Sequence, residues 1–379
     1  MNAGSSSVKL SLLGDDDETL AERELDAPQE QIDPAQLSQA LDAGLGQTDL
    51  VGHRIVHGGE RFSGAVLVNE AVEDQLRGLT ELAPLHQPKS LAALDAVSAA
   101  LPDRPAVACF DTAFHATLPP GAATYALPAV WRARWGLRRY GFHGLSHGWV
   151  ASRASELLAR PAAGLRIVSA HLGAGASLCA IRDGRSIDTT MGFTPLEGLV
   201  MATRSGSVDP GLLLWLLEQE DISEHELAES LEHRSGLLGL AASADMRVIL
   251  DRSESGDPDA GLALEVYLHR LRAGIAAMAA ALGGLDVLVF TGGVGEHAPA
   301  VRARAAGGLS FLGVGIDEPA NQAVPGEGDI SARDAHAHTL VVHAREDLEI
   351  ARQARRLIAD TGGLVGLPRA GSLRTSRTR

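Results

Sequence analysis

Apolar and polar positions along this chain repeat with two different periods, and the switching between them predicts an α/β protein. Val8-Lys9-Leu10-Ser11-Leu12 alternates with period two, as a half-buried strand does. Residues 34–50, 89–101, 145–160, 211–219, 259–282 and 345–360 carry apolar side chains at helical spacing. Three mainly apolar runs read as buried strands: the continuous run Ala106 to Phe110, Ile167-Val168-Ser169-Ala170, and Val287 to Phe290. The first ends at Asp111, so a strand would deliver a carboxylate at its tip. The other two run into the glycine-rich turns Gly173–Gly175 and Gly292–Gly295. From Thr361 onward the chain is rich in Gly, Ser and Arg without periodicity, and reads as a disordered tail.

One pattern occurs twice. Asn2 to Leu12 is a turn of small residues feeding a strand, and His171 to Ile181 follows the same plan half a chain later. The repeat predicts a duplicated domain with paired phosphate loops. Backbone N–H groups on small residues can approach a polyphosphate closely. The first turn also carries three serines and Lys9, in a chain whose only other lysine is Lys89. Gly-x-x-x-x-Gly-Lys-Ser/Thr is absent, so this is not a Walker loop.

Composition narrows the chemistry. At 379 residues the chain exceeds one ordinary core, and two domains are expected. The net charge of −15 argues against nucleic acid or an anionic membrane as partner, since those need clustered cations. Any anion handled here must therefore be held by local cations. The most apolar long stretch, 262–292, is broken by Arg270, Arg272 and a Gly-Gly pair, so no membrane span is predicted. Cys109 and Cys179 sit in apolar runs without ligand spacing and read as buried thiols of a cytoplasmic protein.

Four polar segments could carry chemistry. Gly52 to Glu60 sets Arg54 among small and apolar residues, and Met201 to Ser207 does the same for Arg204. Two arginines so placed suit a carboxylate and phosphoryl clamp, because guanidinium is always charged and binds bidentately. Phe110 to His115 offers Asp111 as an orienting or metal ligand. Tyr140 to His147 holds His143 and His147 one helical turn apart, with no third ligand for zinc. His143 reads as a donor to developing charge, His147 as structural.

Taken in order, NAGSSSVK (2–9), GHRIVHGGE (52–60), LAPLH (82–86), FDTAFH (110–115), YGFHGLSH (140–147), MGFTPLEG (191–198) and TRSGSVDP (203–210) resemble the acetate kinases, the acetokinase family of the actin, Hsp70 and sugar-kinase fold group. The likeness runs from Asn2 to about residue 358. It implies a duplicated ribonuclease-H-like α/β fold of two domains with the active site in a cleft between them. Residues 1–115 with 348–360 would form the first domain, and 116–347 the second, which binds nucleotide and dimerises. The implied reaction is reversible, Mg²⁺-dependent (or Mn²⁺-dependent) in-line transfer between ATP and acetate, giving acetyl phosphate and ADP. Propionate as substrate, or a non-catalytic ATP-binding relative, are the alternatives.

The same resemblance implies roles for individual residues. Asn2 and Glu346 would lie at the metal, and Lys9 near the ATP phosphates. Arg54 would bind the substrate carboxylate, and Val56, Leu85, Phe142 and Pro195 would enclose its methyl group. Asp111 would be the active-site carboxylate, while His143 and Arg204 would stabilise the transferring phosphoryl group. The nucleotide would meet His171, Leu172, Gly173, Ala174 and Gly175, then Asp245, Met246 and Arg247, then Gly293, Val294, Gly295, Glu296 and His297. A homodimer is implied. The chain departs from the family pattern at Ala174, Arg345 and His297, where asparagines are expected. An apolar strand is also expected ahead of Asn2, which suggests a start assigned too late.

Overall fold

The computed structural model describes residues 1–3, 7–26, 33–84, 86–219, 221–324 and 326–362. The turn 4–6, Leu85 and the tail from residue 363 lie outside the described residues. The chain divides into two compact units. One comprises Met1–Ala116, Gly144–Trp149 and the segment from Arg345; the other comprises Thr117–His143 and Val150–Ala344.

In the first unit, β1 (Asn2–Ala3), β2 (Ser7–Leu13) and β3 (Thr19–Asp26) form an antiparallel meander with Ala3 opposite Val8 and Val8 opposite Leu25. Next come β4 (Val51–Ile55), β5 (Val66–Leu67) and β6 (Ala106–Phe110), in spatial order β4-β6-β5. β4 runs parallel to β6, and β5 antiparallel to it. The Arg54 N–H donates to Met1 O at 3.0 Å, which sets β4 beside β1. Reading across, the order is β3-β2-β1-β4-β6-β5.

The second unit repeats that order. β7 (Arg166–Leu172), β8 (Ala176–Arg182), β9 (Arg185–Thr189), β10 (Val287–Thr291), β11 (Gly328–Asp329) and β12 (His338–Val341) lie as β9-β8-β7-β10-β12-β11. β7, β8 and β9 form a meander, β10 is parallel to both β7 and β12, and β11 is antiparallel to β12. Each unit therefore has the ribonuclease-H-like strand plan, and the fold is duplicated as the repeated turn-and-strand pattern predicts.

Burial follows the strand period. Along β6, Ala106, Ala108 and Phe110 pack with Ile55, Phe62, Leu76 and Leu94, while Val107 and Cys109 face Leu145, Ile350 and Ala354. Helix Glu346–Asp360 covers that second face, which is why this strand is apolar throughout. A third cluster joins Val8, Leu10 and Leu25 to Leu37, Leu45 and Val97. In the second unit the 25-residue helix Pro258–Leu282 buries Leu264, Leu268, Leu271 and Ile275; Asp257 caps its start and Gly283 its end. Both cysteines are buried free thiols, and burial pushes each up to about 12. Among the described residues no helix is long and apolar enough to cross a membrane.

Two local readings change. The helix expected over 34–50 stops at Ala40 and continues as a wide turn, Leu41–Leu45, because Gly44 takes φ 111°. The glycine turn after β10 is a short helix, Gly292–His297, closed at both ends by side chains described below.

Helix Gly144–Leu157 begins against the backbone of Asp111, with Gly144 N–H donating to Asp111 O at 2.9 Å. A Cβ on Gly144 would stand 2.1 Å from that oxygen and 2.9 Å from Phe114 Cβ. Gly144→Ala is therefore expected to cost about 1–3 kcal/mol, typical of overpacking. A lowered melting temperature with reduced turnover checks this; an unchanged melting curve refutes it.

Candidate active site

Parallel pairing of β4 with β6 sets Arg54 opposite Cys109 and Ile55 opposite Phe110. The ladder runs one step further, Asp111 N–H donating to Ile55 O at 3.1 Å. Arg54 and Asp111 thus emerge side by side at the carboxyl ends of parallel strands, where α/β sheets place ligands. Arg54 Nη2 donates to Asp111 Oδ2 at 2.6 Å and Nε reaches both carboxylate oxygens at 3.1 Å. Nη1 donates to Asn2 Oδ1 at 3.1 Å, and Asn2 Nδ2 donates to Glu346 Oε2 at 2.7 Å. Glu346 opens its helix and lies 3.9 Å from Arg54 Nε. Asp111 is 1% exposed; burial drives its carboxyl above the usual range, Arg54 opposes this and Glu346 adds to it. Asn2, Arg54, Asp111 and Glu346 form one polar cluster, with Asp111 buried and the other three partly buried.

The neighbours of that cluster are packing groups. His53 points to the opposite face of β4 and is fully buried, with burial taking its imidazole down to about 3, so it is neutral. Val56 is buried, while Leu85 lies outside the described residues. His147 is buried edge-on to His115, ring centroids 5.8 Å apart. Lys9 projects from β2 to an exposed pair with Glu22 at 2.6 Å.

In the second unit, His171 and Leu172 end β7, and His171 pairs with Ser177 across the hairpin. His143 holds φ +56° ahead of helix Gly144–Leu157, a conformation few side chains adopt. That turn places its ring 4.3 Å from the His171 ring and its Nδ1 2.9 Å from Ser177 Oγ. Arg204 lies 3.1 Å from Glu232 through Nε, and its Nη1 donates to Pro195 O at 3.4 Å. A Cβ on Gly175 would stand 3.2 Å from His143 Nε2 and 3.5 Å from Arg204 Nη1. Gly175 is thus the floor of a space on which both donors converge. Phe142 and Pro195 are buried beside it in sequence terms, one before His143 and the other against Arg204.

The turn Gly173–Gly175 is held by main-chain bonds: Gly173 N–H to Gly175 O at 2.9 Å and Ala202 N–H to Ala174 O at 3.0 Å. The Ala174 side chain is exposed. Asp245 caps helix Met246–Glu254 and binds exposed Arg247, with Nη2 to Oδ2 at 2.6 Å; this hydrogen bond holds the Asp245 carboxyl down to about 2. Met246 is buried. Gly293 and His297 are exposed, Val294 partly so and Gly295 buried. Glu296 does not face outward. Its Oε1 accepts from Gly292 and Ala344 N–H at 2.9 Å, and its Oε2 meets His343 Nδ1 at 2.5 Å. Buried Arg302 donates to the carbonyls of Gly295 and Glu296 and to Asn321, closing the other end of this short helix.

Sequence reasoning missed Ser177, Glu232 and Arg302. Ser177 lies inside an apolar strand, and Glu232 belongs to a helix whose four glutamates read as a solvated face. Glu197 was passed over too: it binds Tyr125 Oη at 2.5 Å and Arg139 at 2.8 Å, while Arg139 donates to the carbonyls of Thr190 and Met191, fixing the loop that carries Pro195.

No group of three or more His, Cys, Asp or Glu among the described residues is arranged to hold a metal. The oxygens of Asn2, Glu346 and Asp111 are hard donors. They fit a magnesium ion held by one or two carboxylates with water and substrate phosphates, and not a metal caged by protein alone.

Comparison with known proteins decides the family. The acetokinase family model matches residues 35–352. The chain belongs to the acetokinase family. Acetate kinases of Trichormus variabilis and Gloeobacter violaceus are each 48% identical to it, over 83% and 81% of this chain and 78% and 76% of theirs. Acetate kinase of Porphyromonas gingivalis is similar in structure, with TM-score 0.86 and 36% identity, covering 94% of this chain and 98% of that one. A propionate kinase of Francisella tularensis gives TM-score 0.88 and 34% identity over the same shares. Ala174, Arg345 and His297 stand where the resemblance leads one to expect asparagine. Arg345 turns to Asp347 and to Thr19 Oγ1.

Ser177→Ala is expected to lower kcat about tenfold, near the worth of one hydrogen bond to His143, with both KM values unchanged. Ser177→Cys, similar in size but a weaker partner, should fall between. Equal turnover in all three proteins would show that Ser177 does not orient the imidazole.

Proposed function

We propose that this chain is an acetate kinase, moving the γ-phosphoryl group of ATP to acetate and, in reverse, from acetyl phosphate to ADP. The observation that carries the reading is 48% identity to a curated acetate kinase over 83% of the chain. Acetate is ionised at pH 7, so it attacks without a general base. A P–O bond to the carboxylate forms as the bond to the ADP oxygen breaks. What the protein must supply is alignment and charge neutralisation. Arg54 takes the carboxylate, with Asp111 orienting the guanidinium. His143 Nε2 and the Arg204 Nη edge take the phosphoryl oxygens over Gly175.

Mg²⁺ or Mn²⁺, held by Asn2 and Glu346, would neutralise charge on the nucleotide phosphates when bound. Lys9, the turn His171–Gly175, Asp245–Arg247 and Gly293–His297 are assigned to the nucleotide, with Glu296 and Asp245 acting as braces of their loops. Val56, Leu85, Phe142 and Pro195 are assigned to the acetate methyl group. The second unit is the natural seat of a homodimer: helix Pro210–Leu217 leaves Leu214 66% and Trp215 56% exposed. A cytoplasmic setting suits the two free thiols.

A second reading, propionate as the better substrate, is favoured by the structural likeness to a propionate kinase. Acyl phosphate trapped as hydroxamate, with acetate, propionate and butyrate in turn, separates the two. Acetate is expected to give the highest kcat/KM, and formation of no acyl phosphate from any of the three would overturn both readings. Val56→Ala should shift the propionate-to-acetate ratio of kcat/KM upward by about tenfold, the worth of roughly one methylene. An unchanged ratio would remove Val56 from the pocket. Arg54→Lys keeps a charge yet loses the bidentate geometry. It is expected to cut kcat/KM for acetate by at least about a hundredfold, and near-parental activity would end the assignment of Arg54 to the carboxylate.

A further inference from the structure

We infer that Glu232 is a positioning residue for Arg204, gripping one edge of its guanidinium so that the other edge faces the space above Gly175. The inference deepens the proposed function and rests on Arg204 acting at the phosphoryl group. Helix Glu224–His233 carries glutamates at 224, 226, 229 and 232, and only Glu232 among these is buried, at 8% exposure. Its Oε2 lies 3.1 Å from Arg204 Nε, an ion pair outside hydrogen-bond geometry. A carboxylate in so dry a place is tolerated only because a cation meets it. Removing either partner would strand the other, so the pair has one stable arrangement.

The main chain around Arg204 is fixed by the same turn of protein. Ser205 N–H donates to Leu231 O at 3.0 Å, Thr203 Oγ1 to Glu232 O at 2.9 Å, and Ser235 N–H to Thr203 O at 2.9 Å. Gly236, at φ +60°, lets the chain pass so close that a Cβ there would stand 2.7 Å from Arg204 O. Residues 231–236 therefore hold Arg204 by its backbone on both sides and by Nε at the end of its side chain. Only the Nη edge is turned toward Pro195 O and Gly175, where His143 Nε2 also points.

Glu232 brings two effects of opposite sign. Its charge offsets part of the cation that a phosphoryl group would meet, which slows transfer. Its grip removes the rotational freedom of a long side chain, which speeds transfer, and misplacement by ~1 Å can cost ~100-fold. The inference is that orientation outweighs charge. Glu232→Gln keeps the length of the side chain and loses the charge that makes the ion pair. Glu232→Asp keeps the charge and withdraws it by one methylene.

The test is kcat and both KM values for acyl phosphate formation from ATP and acetate, in Glu232→Gln, Glu232→Asp, Glu232→Ala and Arg204→Ala, each checked for fold by circular dichroism. Expected is a loss of kcat of at least about tenfold for Gln and for Ala, both of which lose the ion pair, and a smaller loss for Asp, with KM values little changed. The reverse order, Gln retained and Asp lost, means that reach and not the ion pair sets Arg204, and overturns the inference. Parental kcat in Glu232→Gln and Glu232→Ala, with Arg204→Ala inactive, overturns it while leaving Arg204 at the phosphoryl group. Parental activity in Arg204→Ala removes Arg204 itself and the inference with it.

Discussion

The carboxyl ends of β4 and β6 bring a guanidinium and a carboxylate out of the sheet side by side, and the first unit is organised around how those charges are satisfied. Arg54 meets Asp111 through Nε and Nη2, and Asp111 is almost wholly buried. A buried pair of this kind contributes little net stability, yet loss of one partner typically costs about 3–5 kcal/mol. The arrangement is therefore over-determined. The parallel register sets the two Cα positions, and the ion pair fixes the side chains. Asn2 then bridges Arg54 to Glu346 at the start of the last helix. Asp111 and Glu346 would repel one another without the guanidinium beside both, so the cluster stands or falls as a set.

The second unit uses the same device with different parts. Arg204 is met at Nε by buried Glu232 and Arg54 at Nε by Asp111, at 3.1 Å in each case, the first as an ion pair outside hydrogen-bond geometry and the second as a hydrogen bond. Arginine serves here where lysine could not, because a planar guanidinium can be fixed at one edge and still donate from another. The pairing also answers a problem set by composition. A chain of net charge −15 repels anions at long range, so their attraction must come from a few cations held still at short range. Holding a cation still with a buried anion spends part of its charge to gain direction.

Most of the architecture was legible before any coordinates. The runs at 106–110, 167–170 and 287–290 are strands because both faces of each are buried, which leaves a nearly continuous apolar signature, broken only by buried Ser169. β4 was not legible: its five residues include His53 and Arg54, one packed neutral in the core and one turned to the polar cluster. Arg54, Asp111, His143 and Arg204 stand out in the sequence because charge flanked by small residues, or placed at a strand tip, has few structural uses. Ser177, Glu232 and Arg302 were not found, since their importance comes from what the fold sets beside them. A serine in a strand and a glutamate in an acidic helix carry no mark of that.

Ala174 shows how far a changed residue reaches. Its side chain is exposed, and the two bonds that shape the turn, Gly173 N–H to Gly175 O and Ala202 N–H to Ala174 O, are both made by the main chain. An alanine keeps those bonds as well as any other residue. Gly175 keeps its clearance from His143 Nε2 and Arg204 Nη1, because that depends on the backbone path and on the absence of a side chain at 175. Against the asparagine that the resemblance leads one to expect, alanine lacks one side-chain amide and leaves the backbone beneath His143 and Arg204 where it was. A preorganised site missing one of several donors keeps the contribution of the rest, since each donor acts through its own fixed geometry. On the proposed assignment, Ala174 would alter the size of the stabilisation at the reacting phosphoryl group, and not the arrangement that provides it.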